Sequence, residues 1–186
     1  MKELIVIDDF LPEPYTVREA GIGADYIDWT GPDGQVYKRI CKVEIPAVIN
    51  AIEKAVGKID LLGMAYRLNY DHELPNQAIH ADTGWGSHAL VLYLCNGPGG
   101  TAFWEHRATK ERCILEGEDW LRRQIENDFD DVSKWYRHHL VHLKYNRALI
   151  YESSLFHSRY PFQAFGEDAV TGRLIVVAFF NLRKGS

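Results

Sequence analysis

The hydrophobic rhythm of the chain changes at about residue 62. Ahead of that point the run LIVID reads as a buried strand, and the DDFLPEP that follows offers Asp8 or Asp9 and two prolines as turn and helix-start signals. The pattern predicts a helix from about Glu13 to Ala24, weakened by Gly21 and Gly23. GPDGQ at 31 to 35 is a turn, and Pro46 opens a second helix whose Ile49, Ile52 and Val56 share one face. This half is expected to be scaffold.

From residue 62 onward the pattern is one of short strands: GMAYRLNY, QAIHAD, HALVLYL, TAFW, LVHLKY, RALIYES and RLIVVAFFN. They are rich in aromatic and β-branched residues and are separated by Gly, Pro, Asn and Asp clusters such as NGPGGT. An all-β sandwich or barrel flanked by amino-terminal helices follows. Within 117 to 137, Leu121, Ile125, Phe129, Val132 and Tyr136 recur at helical spacing, which predicts a helical insertion between strands. The chain therefore reads as one domain over 1–186: an amino-terminal strand and supporting helices (1–60), a barrel core (62–104 and 138–182) and an insertion (105–137).

Composition narrows the choices. Hydrophobic residues at 46% and charged residues at 25% are those of a chain that folds on its own. Cys41, Cys95 and Cys113 have no framework spacing, which favours a reducing compartment, and the acid-interrupted MKELIVIDDF is a strand and not a signal. No apolar run is long enough for a membrane span, so a cytoplasmic location without membrane association is expected. A formal charge of -5 gives no overall attraction to phosphate backbones, which argues against a nucleic-acid partner and for a small-molecule or protein side-chain substrate. Oligomeric state is not legible.

His80 and Asp82, two apart in an expected strand, leave the same face and can converge on one ion. His157, just after RALIYESS, is a candidate third ligand. Two histidines and one carboxylate on one face of an octahedron leave open positions, the arrangement used by non-haem Fe(II) oxygenases. Standing alone a His-x-Asp arises often by chance, and the order of the surrounding motifs adds the weight.

That order resembles the catalytic core of the 2-oxoglutarate and Fe(II)-dependent dioxygenase superfamily, particularly its prolyl-4-hydroxylase-like branch. The similarity runs from Tyr66 to Asn181 through AYRLNY, IHADTGW, LVLYLCNGPGGTAFW, LIYESSLFHSRYPF and TGRLIVVAFFN, and the opening IVIDDFLPEPY is similar too. The resemblance implies a mainly β fold with flanking helices, a double-stranded β-helix (a jelly-roll or cupin-like barrel). It implies iron held by His80, Asp82 and His157, with 2-oxoglutarate and O2 as co-substrates. Arg173 would take the far carboxylate of 2-oxoglutarate, because a guanidinium fork matches a carboxylate bidentately. Tyr93 would donate to the same carboxylate, and Tyr66 would line the pocket, although strand tyrosines also serve as core. Related halogenases lack the carboxylate at the position of Asp82, so its presence favours hydroxylation of an unactivated C–H bond with release of succinate and CO2. Arg173 follows His157 by 16 positions, longer than the family's usual spacing, which keeps Arg159 and Arg147 as alternatives.

Two rival functions remain at this level, a non-catalytic jelly-roll binding module and a nucleic-acid-modifying oxygenase. In RHHLVH, His138 and His142 would share a helical face as in zinc sites, but a basic, aromatic end to the insertion helix is the expectation. Trp85 and Trp104 are candidates for the barrel mouth, and residues 115–138 for either a lid or packing.

Overall fold

Two opposed antiparallel sheets carry the chain in a computed structural model that describes residues 4–31, 34–75, 78–115 and 117–183. Pro32 and Asp33 of the GPDGQ turn and Gln77 of QAIHAD lie outside the described residues. In chain order the elements are β1 (Leu4–Ile7), α1 (Pro14–Ile22), β2 (Ile27–Thr30), β3 (Val36–Lys42), α2 (Pro46–Val56), β4 (Ile59–Asn69), β5 (His88–Tyr93) and β6 (Gly100–His106). Then come α3 (Asp119–Ile125), β7 (Trp135–His142), β8 (Ala148–Glu152), β9 (His157–Tyr160) and β10 (Arg173–Leu182). Among the described residues the major sheet runs β1-β8-β5-β10-β4-β3-β2 and the minor sheet β7-β6-β9. From β4 onward the chain crosses between the two sheets, and the fold is a double-stranded β-helix, mainly β with flanking helices.

Period two sorts the side chains of the major sheet. Met64, Tyr66 and Leu68 of β4, Leu90 and Leu92 of β5 and Leu174, Val176, Ala178 and Phe180 of β10 point to the outer face. There they pack with Val17 of α1 and with Val48 and Ile52 of α2. Prolines open both helices, where a missing N–H costs nothing. Ile52 is fully buried in this layer. Ile52→Ala is expected to lower unfolding stability by about 2 to 5 kcal/mol in chemical denaturation, through a cavity far from the inner face.

The minor sheet is sorted the same way. Ala102 and Trp104 of β6 and Phe156 face outward into a cluster with Ile79, Ile114, Leu121, Ile125, Phe129 and Trp135, while Thr101, Phe103, His157 and Arg159 face the major sheet. Gly100 is squeezed between β7 and β9: a Cβ there would meet the Val141 carbonyl oxygen at 1.9 Å.

Several expectations are corrected. The amino-terminal half also contributes β2 and β3, which extend the major sheet through β4. The insertion helix is short: α3 ends at Ile125, turns of 3-10 helix follow at 126–128 and 132–134, and RHHLVH is strand β7. Leu121, Ile125 and Phe129 are buried as the spacing implies, but Val132 and Tyr136 are exposed, because the helical period does not continue past Phe129. Trp120, at the start of α3, is exposed as well. Among the described residues no helix is long and apolar enough to cross a membrane.

Candidate metal centre

QAIHAD is not a full strand. His80 forms an isolated antiparallel bridge with His157, through two backbone hydrogen bonds of 3.0 and 2.8 Å, and Asp82 N–H donates to the Ser153 carbonyl at 2.7 Å. Ile79, turned outward, anchors the segment in the cluster beneath α3, and its N–H donates to the Phe129 carbonyl at 3.1 Å. Alternation therefore still aims His80 and Asp82 inward, onto the same side as His157 at the start of β9.

The three side chains converge. One ligand atom from each of His80, Asp82 and His157 lies within 4.8 Å of the others. His80 Nε2 is 3.8 Å from Asp82 Oδ1, and His157 Nε2 is 3.2 Å from Asp82 Oδ2. His157 Nδ1 is 2.9 Å from the Leu155 carbonyl oxygen, which can only accept, so Nδ1 carries a proton and Nε2 is the nitrogen aimed at the centre. Two imidazoles, a carboxylate and an outer hydrogen bond that fixes a tautomer form a donor set suited to a divalent transition metal.

Burial pushes the His157 pKa down, but the charge and hydrogen bond of Asp82 outweigh it and the net shift is upward. Burial pushes Asp82 up, and His157, His80 and Arg67 bring it below the usual carboxylate range. A metal ion must displace the proton that this pairing favours on His157. Metal affinity is accordingly expected to fall as pH drops through the raised His157 pKa and to level off above it. Calorimetry in buffers of different ionisation heat should show proton release on binding at the acid end and its loss at the alkaline end.

A cavity of about 540 Å³ opens from this centre between the sheets. Arg173, buried at the first position of β10, lines it, with Nη1 3.5 Å from Asn69 Oδ1. Arg159 also lines it, but its guanidinium donates to the carbonyls of Phe162 and Glu73. Arg147 does not: it pairs with Asp8 at the surface. Tyr93 is buried behind the lining, its hydroxyl 2.7 Å from the Thr101 hydroxyl, and Thr101 is the group that meets the cavity. Burial pushes the Tyr93 phenol up against the pull of Arg173, so it stays protonated.

Tyr66 does not line the cavity. It has the outward parity of β4 and donates to the Val17 carbonyl at 2.8 Å, holding α1 to the sheet. Trp85 reaches the cavity, whereas Trp104 faces the cluster under α3 and donates its indole N–H to Ser158 Oγ at 2.9 Å. The histidines of β7 join no group of metal ligands among the described residues.

A model of a family of unknown function (DUF6445) matches residues 67–180. The chain belongs to that family. No curated protein matches the DUF6445 chain in sequence. Among solved structures it is similar to AviO1 from Streptomyces viridochromogenes Tue57, with 12% identity and a TM-score of 0.57 over 96% of this chain and 89% of that one. It is also similar to the non-heme alpha ketoglutarate dependent carbocyclase SnoK from nogalamycin biosynthesis, at 11% identity and a TM-score of 0.59, covering 97% of this chain and 80% of that one. A third is the epimerase SnoN, solved in complex with Fe3+, alpha ketoglutarate and nogalamycin RO, at 12% identity and a TM-score of 0.53 over 96% and 78% of the two chains. These likenesses establish the fold of the DUF6445 chain.

Residues that sequence reasoning missed also face the cavity: Arg67, Asn69, Tyr151, Trp29, Tyr37 and Lys42. For Arg67 and Asn69 the signal was present, because in GMAYRLNY they alternate with the outward Tyr66 and Leu68. For Trp29, Tyr37 and Lys42 it was not, since nothing local shows that β2 and β3 extend the sheet.

Proposed function

We propose that the chain is a 2-oxoglutarate- and Fe(II)-dependent oxygenase that hydroxylates an unactivated C–H bond of a small molecule or an amino-acid side chain, releasing succinate and CO2. The observation that carries the proposal is the inward convergence of His80, Asp82 and His157 at one cavity with the buried Arg173. The iron and alpha ketoglutarate in SnoN and the alpha ketoglutarate dependence of SnoK support it, on the same fold. The order of motifs favours the prolyl-4-hydroxylase-like branch.

In this reading His80, Asp82 and His157 hold the ion, and the His157 tautomer is fixed by the Leu155 carbonyl. Iron supplies the activation of dioxygen, coupled to oxidation of the keto acid. Arg173 binds the far carboxylate of 2-oxoglutarate, with the Thr101 hydroxyl beside it and Tyr93 orienting that hydroxyl from behind. The apolar inner-face residues Ile175, Val177 and Phe179 keep water from the space beyond.

The test is direct. Anaerobic addition of Fe(II) and then 2-oxoglutarate to the protein should produce the visible charge-transfer band of a chelated keto acid. Admission of air with ascorbate should then yield succinate slowly without any second substrate. Absence of both the band and succinate rejects the proposal.

A further inference from the structure

The inner face carries more positive charge than the proposed co-substrate uses. Arg67, Arg159 and Arg173 all line the cavity. Burial pulls Arg159 down to about 9, helped by the charges of Arg173 and Arg67, and Arg67 is lowered by burial and by Arg173. Asp82 and one carboxylate of a keto acid offset the two charges of an iron(II) ion, and the second carboxylate offsets one guanidinium. Two guanidiniums remain.

Their hydrogen bonding differs. Arg159 is engaged by the Phe162 and Glu73 carbonyls, and Arg173 leans on Asn69. Arg67 Nε is buried without a hydrogen-bond partner, a costly state for a charged group until an anion arrives. The two sheet arginines also point to different parts of the cavity. Arg173 has its guanidinium 5.8 Å from the Tyr93 ring, on the β5 side, while Arg67 has its own 5.5 Å from the Tyr37 ring, on the β3 side.

On that second side the lining is aromatic. Tyr37 stacks with Trp29 at 5.7 Å, Trp29 meets Trp85 at 5.8 Å, and Trp85 meets Phe179 at 5.4 Å between ring centroids. Lys42 Nζ lies 4.0 Å over the Trp29 ring. A chain of touching aromatic rings ending at a guanidinium whose buried Nε has no hydrogen-bond partner is complementary to a flat molecule with an acidic head.

We propose that the primary substrate is a flat or aromatic organic acid, with its anionic head on Arg67 and its ring along the wall of Tyr37, Trp29, Trp85 and Phe179. This rests on the oxygenase reading above and adds the substrate class to it. Carboxylate and phosphate heads share the required chemistry.

Calorimetry on the Mn(II)-loaded protein saturated with 2-oxoglutarate tests it, with indole-3-acetate, 3-phenylpropanoate, their amides and phenyl phosphate as probes. At least one acid should bind ten times or more tighter than its amide. Arg67→Leu should remove that preference by tenfold or more, Arg67→Lys should restore part of it, and both should bind 2-oxoglutarate within about twofold of the parent. Comparing phenyl phosphate with the carboxylates identifies the head group. If no acid outbinds its amide, or if Arg67→Leu loses 2-oxoglutarate instead of the acid, the assignment of Arg67 is overturned. If the parent itself takes up no Mn(II) and 2-oxoglutarate, the oxygenase reading fails first and this proposal falls with it.

Discussion

His157→Ala is expected to abolish stoichiometric Fe(II) binding, and His80→Ala to do the same. Each removes one of three protein donors, and the two that remain cannot hold a labile divalent ion against water. His157→Ala also removes the ring hydrogen bond to the Leu155 carbonyl, while the backbone bridge to His80 remains in either variant. The measurement is iron per chain after desalting, alongside circular dichroism to show that the sheets persist. Iron content unchanged in both variants would remove the metal centre from consideration.

Arg173→Ala should leave iron content intact and weaken 2-oxoglutarate by roughly 2 to 5 kcal/mol, the cost of stranding a buried charge, which is more than tenfold in Kd. The side chain is buried at the first position of β10, remote in sequence from the metal ligands but on the same inner face. Titration of the metal-loaded protein with 2-oxoglutarate reads the effect. A normal Kd in Arg173→Ala together with a raised one in Arg159→Ala would move the role to Arg159, which also lines the cavity.

The sequence was most informative where period two and local turn chemistry decide the outcome. Most β strands from GMAYRLNY to RLIVVAFFN, the Pro-opened helices and the fold class were legible, whereas QAIHAD is not a full strand and β9 was not anticipated. His80, Asp82 and His157 were nominated by order and parity, and they meet although QAIHAD supplies only one bridge. Tyr66 misled because the resemblance fixed its place in a motif, while the side it faces depends on the register of β4 against β10, where it lies opposite Val176. The insertion misled for a different reason. Leu121, Ile125 and Phe129 continue a helical spacing into Val132 and Tyr136 by chance, while the chain breaks into 3-10 turns to reach β7. Partners brought together only by strand pairing or sheet packing were beyond local reasoning, as with Lys42 over Trp29 or the Tyr93 and Thr101 hydroxyls.

The segment that carries His80 and Asp82 is tied to β9 by one bridge and to the insertion by Phe129 and by Asp130, whose carboxylate accepts from Ala78 N–H at 2.7 Å. Farther along, Arg122 of α3 donates to the Thr83 hydroxyl at 2.7 Å. An ion that links this segment to His157 therefore closes the seam between the insertion and the minor sheet. Binding then lends its free energy to local order, about 2.7 kcal/mol at a hundred times Kd. Amides at 78–83 and 117–134 should exchange faster after chelation and slow again when metal is restored, while the sheet backed by α1 and α2 stays protected throughout.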